Sequence, residues 1–186
     1  MAIKTYLIVD GENIDATLGL SVLSRRPEPE ERPRWDRVMD FAQEVWEQPV
    51  NGLFFLNATS GHLPMTFVQA LLAMDYRPLP LSGSLTEKVV DIGIQRTLDA
   101  IAETGEGSVI LASHDGDFGP QLEKLLAQGH KVAIICFKEF LNTHLRSLTE
   151  HGLEIIDLEH TVHAFTETLP RIKIINLEDF DPYTFI

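Results

Sequence analysis

Short runs of β-branched and aliphatic residues alternate with longer segments of helical periodicity, and this alternation limits the chain to very few folds. Six runs predict strands, at residues 6–9, 53–56, 76–81, 109–112, 131–137 and 153–158. Helical patterns separate them at 35–47, 64–74, 86–103, 118–128 and 138–150. Strands that alternate with helices form parallel sheets covered on both faces. We therefore predict a three-layer α/β fold with a mainly parallel sheet, in the order 3-2-1-4-5 plus an edge strand.

Two segments are predicted to lie at the margins of this fold. The third strand contains Pro78 and Pro80, which cannot donate to a sheet ladder, so it should occupy an edge position. A domain over residues 1–160 is followed by a C-terminal tail over 161–186, with a turn of helix expected near 160–168. Within the tail, RIKIINL (171–177) predicts an additional strand. This strand either joins the sheet of its own domain or is exchanged with a second subunit, which would give a homodimer.

The charge and hydropathy of the chain exclude several classes of protein. Its 28 acidic and 15 basic residues give a net charge of −13, which repels nucleic acid and argues against a protein that coats DNA or RNA. A nuclease remains compatible with this net charge, because bound divalent cations make the local charge positive where the phosphate binds. No apolar run approaches the roughly 20 residues that cross a bilayer, and no signal-peptide pattern is present. We expect a cytoplasmic protein without a membrane partner, with its single Cys136 buried and unpaired.

Acidic residues follow two of the predicted strands. Asp10 ends the first strand in IVDGEN, and Asp115 and Asp117 come just after the fourth strand in ILASHDGDF. Ligands of open parallel sheets bind beyond the carboxyl ends of the strands, at the point where the strand order reverses. Because the first and fourth strands are neighbours in the predicted order, these carboxylates should meet at that point.

A further acid comes from the helix after the third strand. Asp91 lies at the edge of the buried stripe of this helix, with Lys88 three residues earlier. An unpaired charge at a core boundary is costly, so Asp91 needs either Lys88 or a cation shared with Asp10 and Asp115. Oxygen ligands without a local cysteine or a histidine triad are typical of Mg²⁺ or Mn²⁺ sites. Such an ion orients a water molecule and stabilises charge on a phosphoryl group during hydrolysis.

Three segments in this order resemble the NYN domain family, a branch of the PIN-like nucleases: D-G-E-N at 10–13, K-V-V-D at 88–91 and S-H-D-G-D-F at 113–118. The resemblance covers roughly residues 5–158. It implies a PIN-like Rossmannoid fold and a ribonuclease that hydrolyses RNA phosphodiester bonds with Mg²⁺ or Mn²⁺. Carried over by motif position, Asp10, Asp91 and Asp115 would be the catalytic, metal-binding acids, and Asp117 a fourth.

The resemblance also implies supporting roles for residues beside these acids. Asn13 would hold the first loop or contact a phosphate, and Ser113 would hydrogen-bond inside the strand-to-helix turn. Lys88 would steady an aspartate or a phosphate oxygen. The side chain of His114, within the acidic motif, is expected to point to solvent.

A proline- and arginine-rich segment at 24–34 follows the first motif and is predicted to be a mobile loop at the mouth of the site. One interpretation is that Arg25 and Arg26 guide RNA towards the acids. The other is that the segment is a solvated loop, since three glutamates offset its charge.

Two other functions fit parts of the pattern. A Toprim-like phosphotransfer domain also joins an acidic turn after strand one to a D-x-D after a later strand. That family requires glutamate at the position of Asp10, however, and it assigns no role to Asp91. A non-catalytic RNA-binding or regulatory NYN module would retain the same acids for structure or ion binding. For the ribonuclease, the acidic surface favours an RNA that is selected or is delivered by a protein partner.

Overall fold

The strands of the computed structural model, which describes residues 3–170 and 175–186, form one parallel sheet in the order β3-β2-β1-β4-β5-β6. They are β1 (Thr5–Asp10), β2 (Val50–Asn57), β3 (Tyr76–Leu81), β4 (Ser108–Ala112), β5 (Val132–Cys136) and β6 (Glu154–Asp157). The predicted α/β class and strand order are confirmed. The proline-containing β3 lies at an edge, as predicted, and β6 is the added strand at the other edge.

The described helices are α1 (Gly11–Thr17), α2 (Trp35–Val45), α3 (Met65–Ala73), α4 (Val89–Thr104), α5 (Gly119–Ala127) and α6 (Thr143–Ser147). A π-helical turn at Leu18–Leu23 continues α1. Five of these helices lie in segments where the sequence predicts a helix, whereas α1 and its continuation were not predicted. In the part of the chain that the structure describes, no helix combines the length and apolar character needed to cross a membrane.

Alternate residues of the strands point into two cores, which makes the three layers. On one face, Leu7 and Val9 of β1 pack with residues of α1, α2 and α3. On the other face, Ile8 packs with residues of α4 and α5. Cys136 belongs to the second core and is fully buried, as predicted. The sheet is thus sealed on both sides, which leaves the carboxyl edge of its strands as the natural place for a ligand.

The prediction of a continuous helix over 138–150 is wrong. The segment is a 3-10 turn (Lys138–Phe140), α6, and a second 3-10 turn (Leu148–His151). Asn142 causes the interruption, because its side chain accepts the backbone N–H groups of His144 and Leu145 and so begins a new helix there.

The predicted turn of helix at 160–168 is also wrong, because these residues form turns and irregular structure without a helix. Backbone carbonyls of the segment accept hydrogen bonds from the start of α2 and the residue before it. The backbone N–H of Arg34 donates to the backbone oxygen of Ala164 (2.6 Å), and the Arg37 guanidinium donates to the backbone oxygen of His163 (2.9 Å). Val162, Ala164 and Leu169 are buried in the first core, so the packed unit continues to Leu169.

The predicted strand at 171–177 falls mostly on residues 171–174, which lie outside the described residues. Beyond them, residues 175–186 form two 3-10 turns, Leu177–Asp179 and Pro182–Thr184, and all twelve are exposed.

Candidate metal centre

The neighbouring strands β1 and β4 bring the first and third sequence motifs together at the carboxyl edge of the sheet. Val9 pairs with Ala112 in register, so Asp10 and Ser113 are the next residues along the two strands. Asp10 is also the N-cap of α1, which begins directly after β1. This is the point where the strand order reverses, since β1 has β2 on one side and β4 on the other.

Asp10 is buried, with 2 % of its surface exposed, and both of its carboxylate oxygens accept hydrogen bonds. Oδ2 accepts from the Ser113 hydroxyl (2.9 Å), and Oδ1 accepts from the Asn13 backbone N–H (3.4 Å). The Ser113 oxygen in turn accepts the backbone N–H of Asp115 (3.1 Å). A chain of hydrogen bonds therefore joins the carboxylate of the first motif to the loop of the third.

Burial raises the pKa of Asp10 to about 7, and the nearby charges of Asp91 and Asp115 act in the same direction. The hydrogen bonds from Ser113 and Asn13 oppose this rise because they stabilise the carboxylate form. Asp91 and Asp115 belong to motifs far from Asp10 in sequence, and their charges act on its pKa because the fold brings the three motifs to one edge of the sheet.

The carboxylates of Asp91, Asp115 and Asp117 converge: one oxygen from each lies within 4.8 Å of the others. Asp91 is in the first turn of α4, where Val90 and Ile94 are buried and fix the orientation of the helix. Asp115 caps the 3-10 turn Gly116–Phe118 by accepting the Asp117 N–H (2.9 Å). Asp10 adjoins this group but is not one of the three residues in it.

Partial burial raises the pKa of Asp91, and the charge of Asp115 raises it further, while Lys88 opposes the rise. The direct ion pair of Lys88 is with Asp117, whose Oδ2 is 3.5 Å from Nζ. Lys88 thus steadies an aspartate of the cluster from an exposed position. One ammonium beside three carboxylates leaves excess negative charge at the site, which favours binding of a cation.

His114 is almost fully buried, so the expectation that it points to solvent is wrong. Its Nε2 accepts the backbone N–H of Phe137 (2.8 Å), which places the proton on Nδ1, and Nδ1 donates to Asn13 Oδ1 (2.9 Å). The ring also stacks on Phe137 with centroids 5.7 Å apart. Burial lowers the pKa of His114 to about 4, so the ring is neutral at pH 7. His114 thereby supplies an acceptor for the buried Phe137 N–H.

Asn13 holds the first and third motifs together. Its Oδ1 accepts both the ring N–H of His114 and the His114 backbone N–H (2.8 Å). No sequence signal predicts that Asn13 pairs with His114. The orientation of the His114 ring also depends on the backbone N–H of Phe137, which follows a different strand and has no polar side chain.

Arg25 and Arg26 lie in a segment that its own hydrogen bonds organise. Glu31 binds the Arg25 guanidinium through two contacts of 2.6 Å, and the backbone N–H of Glu28 also donates to Glu31 (2.9 Å). Arg32 binds Asp15 of α1 (2.6 Å). Arg26 is exposed. Among the described residues, Arg25 is therefore paired within its own segment, and the role in guiding RNA stays a prediction.

Comparisons with known proteins inform the fold alone. The sequence matches no family model and no curated protein. Among solved structures, it is similar to the crystal structure of a protein of unknown function from Vibrio parahaemolyticus, with a TM-score of 0.67 and 17 % identity. The match covers 86 % of this chain and 95 % of that chain. It shows a three-layer Rossmann-like fold, and the NYN resemblance stays a prediction from the motifs.

Proposed function

We propose that this protein is a divalent-metal-dependent ribonuclease of the PIN-like type, in which an aspartate cluster holds Mg²⁺ or Mn²⁺. One observation carries the proposal: three carboxylates from two distant segments converge within 4.8 Å at the point where the strand order reverses. The resemblance of the three motifs to NYN domains supports the substrate class. Asp91, Asp115 and Asp117 would hold the ion, with Asp10 beside them.

The residues present fit a hard cation by donor chemistry and by spacing. All the donors are carboxylate oxygens, which Mg²⁺ and Mn²⁺ prefer. Two oxygens on one Mg²⁺ ion lie at most about 4.2 Å apart, so oxygens separated by up to 4.8 Å need only small side-chain rotations. Partial burial and then the charges of Asp115 and Asp117 raise the pKa of Asp91, and a bound cation would oppose this rise.

When bound, the ion would supply Lewis acidity that activates water and stabilises charge on the phosphoryl group. The chain supplies a fixed set of ligands. Ser113 connects Asp10 to the Asp115 backbone, and the pair of Asn13 and His114 holds the two loops in register. Lys88 can leave its exposed pair with Asp117 and donate to a phosphate oxygen of RNA, because such pairs are weak.

The test is cleavage of single-stranded and structured RNA with Mn²⁺ or with EDTA. Asp91→Asn and Asp115→Asn change the cluster, and Asp40→Asn on the exposed face of α2 is the matched control. We expect Mn²⁺-dependent cleavage by the unmodified protein and the control, and its loss in both cluster variants. RNA binding without cleavage under every condition would contradict the proposal and favour the non-catalytic module.

The Toprim-like alternative explains the site less well, because it assigns no role to Asp91, which belongs to the cluster. We further propose that the RNA substrate is selected or is delivered by a protein partner, since the net charge of −13 disfavours indiscriminate binding of RNA. It also includes a cytoplasmic location, where an unpaired thiol such as Cys136 stays reduced.

A further inference from the structure

The three carboxylates of the candidate metal centre stand on two separate elements. Asp91 belongs to the first turn of α4, whereas Asp115 and Asp117 belong to the turn after β4, here called the acidic loop (residues 115–117). Asp117 is exposed and Asp115 is half-buried, so burial alone does not fix this loop. The spacing between Asp91 and the other two carboxylates therefore depends on how the acidic loop is held against α4.

The start of α4 is a fixed support for Asp91. Val90, Ile94 and Leu98 are buried in the second core. Gly93 lies so close to β3 that a Cβ there would overlap the Leu81 side chain. A closely packed core resists the displacement of a whole helix, so a change in ligand spacing would come mainly from the acidic loop.

Gln95 connects α4 to the main chain of the acidic loop. It lies four residues after Asp91, on the same face of the helix, and its Nε2 donates to the backbone oxygen of Asp117 (3.2 Å). Gln95 is half-buried. Lys88 provides a second link, but 73 % of its side chain is exposed, and an exposed ion pair is weak. A hydrogen bond to the backbone limits the position of the acidic loop and leaves the Asp117 carboxylate available to an ion.

The N-terminal end of α6 also limits the acidic loop. A Cβ at Gly116 would lie 2.6 Å from Asn142 Nδ2, and a Cβ at Gly119, just after the loop, would lie 2.7 Å from His144 Cδ2. Both side chains therefore pack directly on the backbone of this segment. Asn142 is itself held in place, because its Oδ1 accepts the backbone N–H of His144 (2.8 Å) and caps α6. The acidic loop thus packs on α6, and Gln95 binds it to α4.

We propose that Gln95 is a positioning residue of the metal centre. By binding the Asp117 carbonyl, it sets the distance between Asp91 and the carboxylates of the acidic loop, and it thereby favours small ions over Ca²⁺. Mg²⁺ requires near-ideal octahedral geometry with oxygens at about 2.1 Å, whereas Ca²⁺ accepts flexible geometry at about 2.3–2.6 Å. A loosened loop therefore disfavours the smaller ion. The inference rests on the metal centre of the proposed function, but it does not require RNA to be the substrate.

The test measures binding of Mn²⁺ to the full chain by electron paramagnetic resonance, with Mg²⁺ and Ca²⁺ as competitors. Gln95→Met keeps the length of the side chain and removes the donor, whereas Gln95→Ala removes both. Methionine and alanine are strong helix formers, so α4 should be preserved in each variant. Gln43→Met, at an exposed position of α2 in the opposite layer, is the matched control.

We expect both Gln95 variants to bind Mn²⁺ and Mg²⁺ about tenfold more weakly than the unmodified protein, as the loss of a hydrogen bond around metal ligands does. Their affinity for Ca²⁺ should fall less than about threefold, because the larger ion tolerates a looser set of ligands. The Gln43→Met control should keep all three affinities.

A double variant separates positioning through Asp117 from a general loss of packing. In Asp117→Asn the carboxylate that Gln95 positions is absent, so the addition of Gln95→Met should change the Mn²⁺ affinity less than about twofold. Unchanged affinities in both Gln95 variants, or weaker binding in Gln95→Ala alone, would overturn the positioning role while the metal centre stands. An equal loss of Mg²⁺ and Ca²⁺ affinity would overturn it as well. Absence of Mn²⁺ binding by the unmodified protein would overturn both the role of Gln95 and the metal centre on which it rests.

Discussion

Asp10→Asn tests the electrostatics of the site without any metal. Burial and the charges of Asp91 and Asp115 raise the pKa of Asp10 from 3.8 to about 7. A carboxyl group with a raised pKa in the folded state contributes stability that is fully present below the unfolded pKa. That stability is lost as the pH rises through the folded pKa. The metal-free protein should therefore lose stability between about pH 4 and pH 7 at this residue.

The interval of about three pH units corresponds to about 4 kcal/mol of unfolding free energy lost by pH 8. Asparagine does not ionise, so the variant avoids this loss. It has one acceptor oxygen, however, where Ser113 and the Asn13 N–H both donate to Asp10. The missing acceptor costs about 1–2 kcal/mol. The expected net effect is a stabilisation of about 2–3 kcal/mol at alkaline pH and a destabilisation of about 1–2 kcal/mol in acid.

The assay is urea unfolding with EDTA at about pH 5.5 and about pH 8.5, both above the pI of 4.8. Asp10→Asn should gain about 2 kcal/mol of stability relative to the unmodified protein between these conditions. Asp40→Asn, the exposed control, should gain nothing comparable. Equal stability differences at the two pH values for Asp10→Asn would contradict a raised pKa of the buried Asp10 carboxyl group.

Three further substitutions test individual contacts. His114→Ala should cost about 2–4 kcal/mol in urea unfolding, since it removes a buried ring and two hydrogen bonds; a cost near zero would contradict its bracing role. Gly11→Ala should destabilise by about 1–3 kcal/mol, because the new Cβ would lie 2.7 Å from the buried Phe54 ring, and unchanged stability would show that the ring yields. Lys88→Gln should leave stability nearly unchanged and strengthen Mn²⁺ binding severalfold in calorimetry, since it removes the ammonium group beside Asp117. Weaker binding of Mn²⁺ by this variant would show that Lys88 does not compete with the metal ion for Asp117.

The sheet order was predictable because each strand is a short apolar run bounded by helical patterns. The positions of Asp10 and Asp115 at the ends of β1 and β4 then followed from the order alone. The position of Asp91 was also accessible, since the buried stripe of α4 orients the first turn of that helix. Local periodicity and parallel topology together were sufficient for these features.

Other features depend on contacts between distant segments, which periodicity does not encode. The buried His114 accepts the Phe137 N–H, and this contact forms only once β4 and β5 are paired. The helix is interrupted near Asn142 because the Asn142 side chain accepts hydrogen bonds from the backbone N–H groups of His144 and Leu145. The ion pair of Lys88 is with Asp117, whereas the sequence suggested Asp91 in its own segment, because the 3-10 turn brings Asp117 to α4.

The most direct measurement is the anomalous scattering of a crystal soaked in Mn²⁺. We expect a strong manganese peak bounded by the carboxylates of Asp91, Asp115 and Asp117, and no such peak in a crystal of Asp115→Asn. Well-ordered carboxylates without a peak between them, or manganese bound only elsewhere on the acidic surface, would contradict the metal centre.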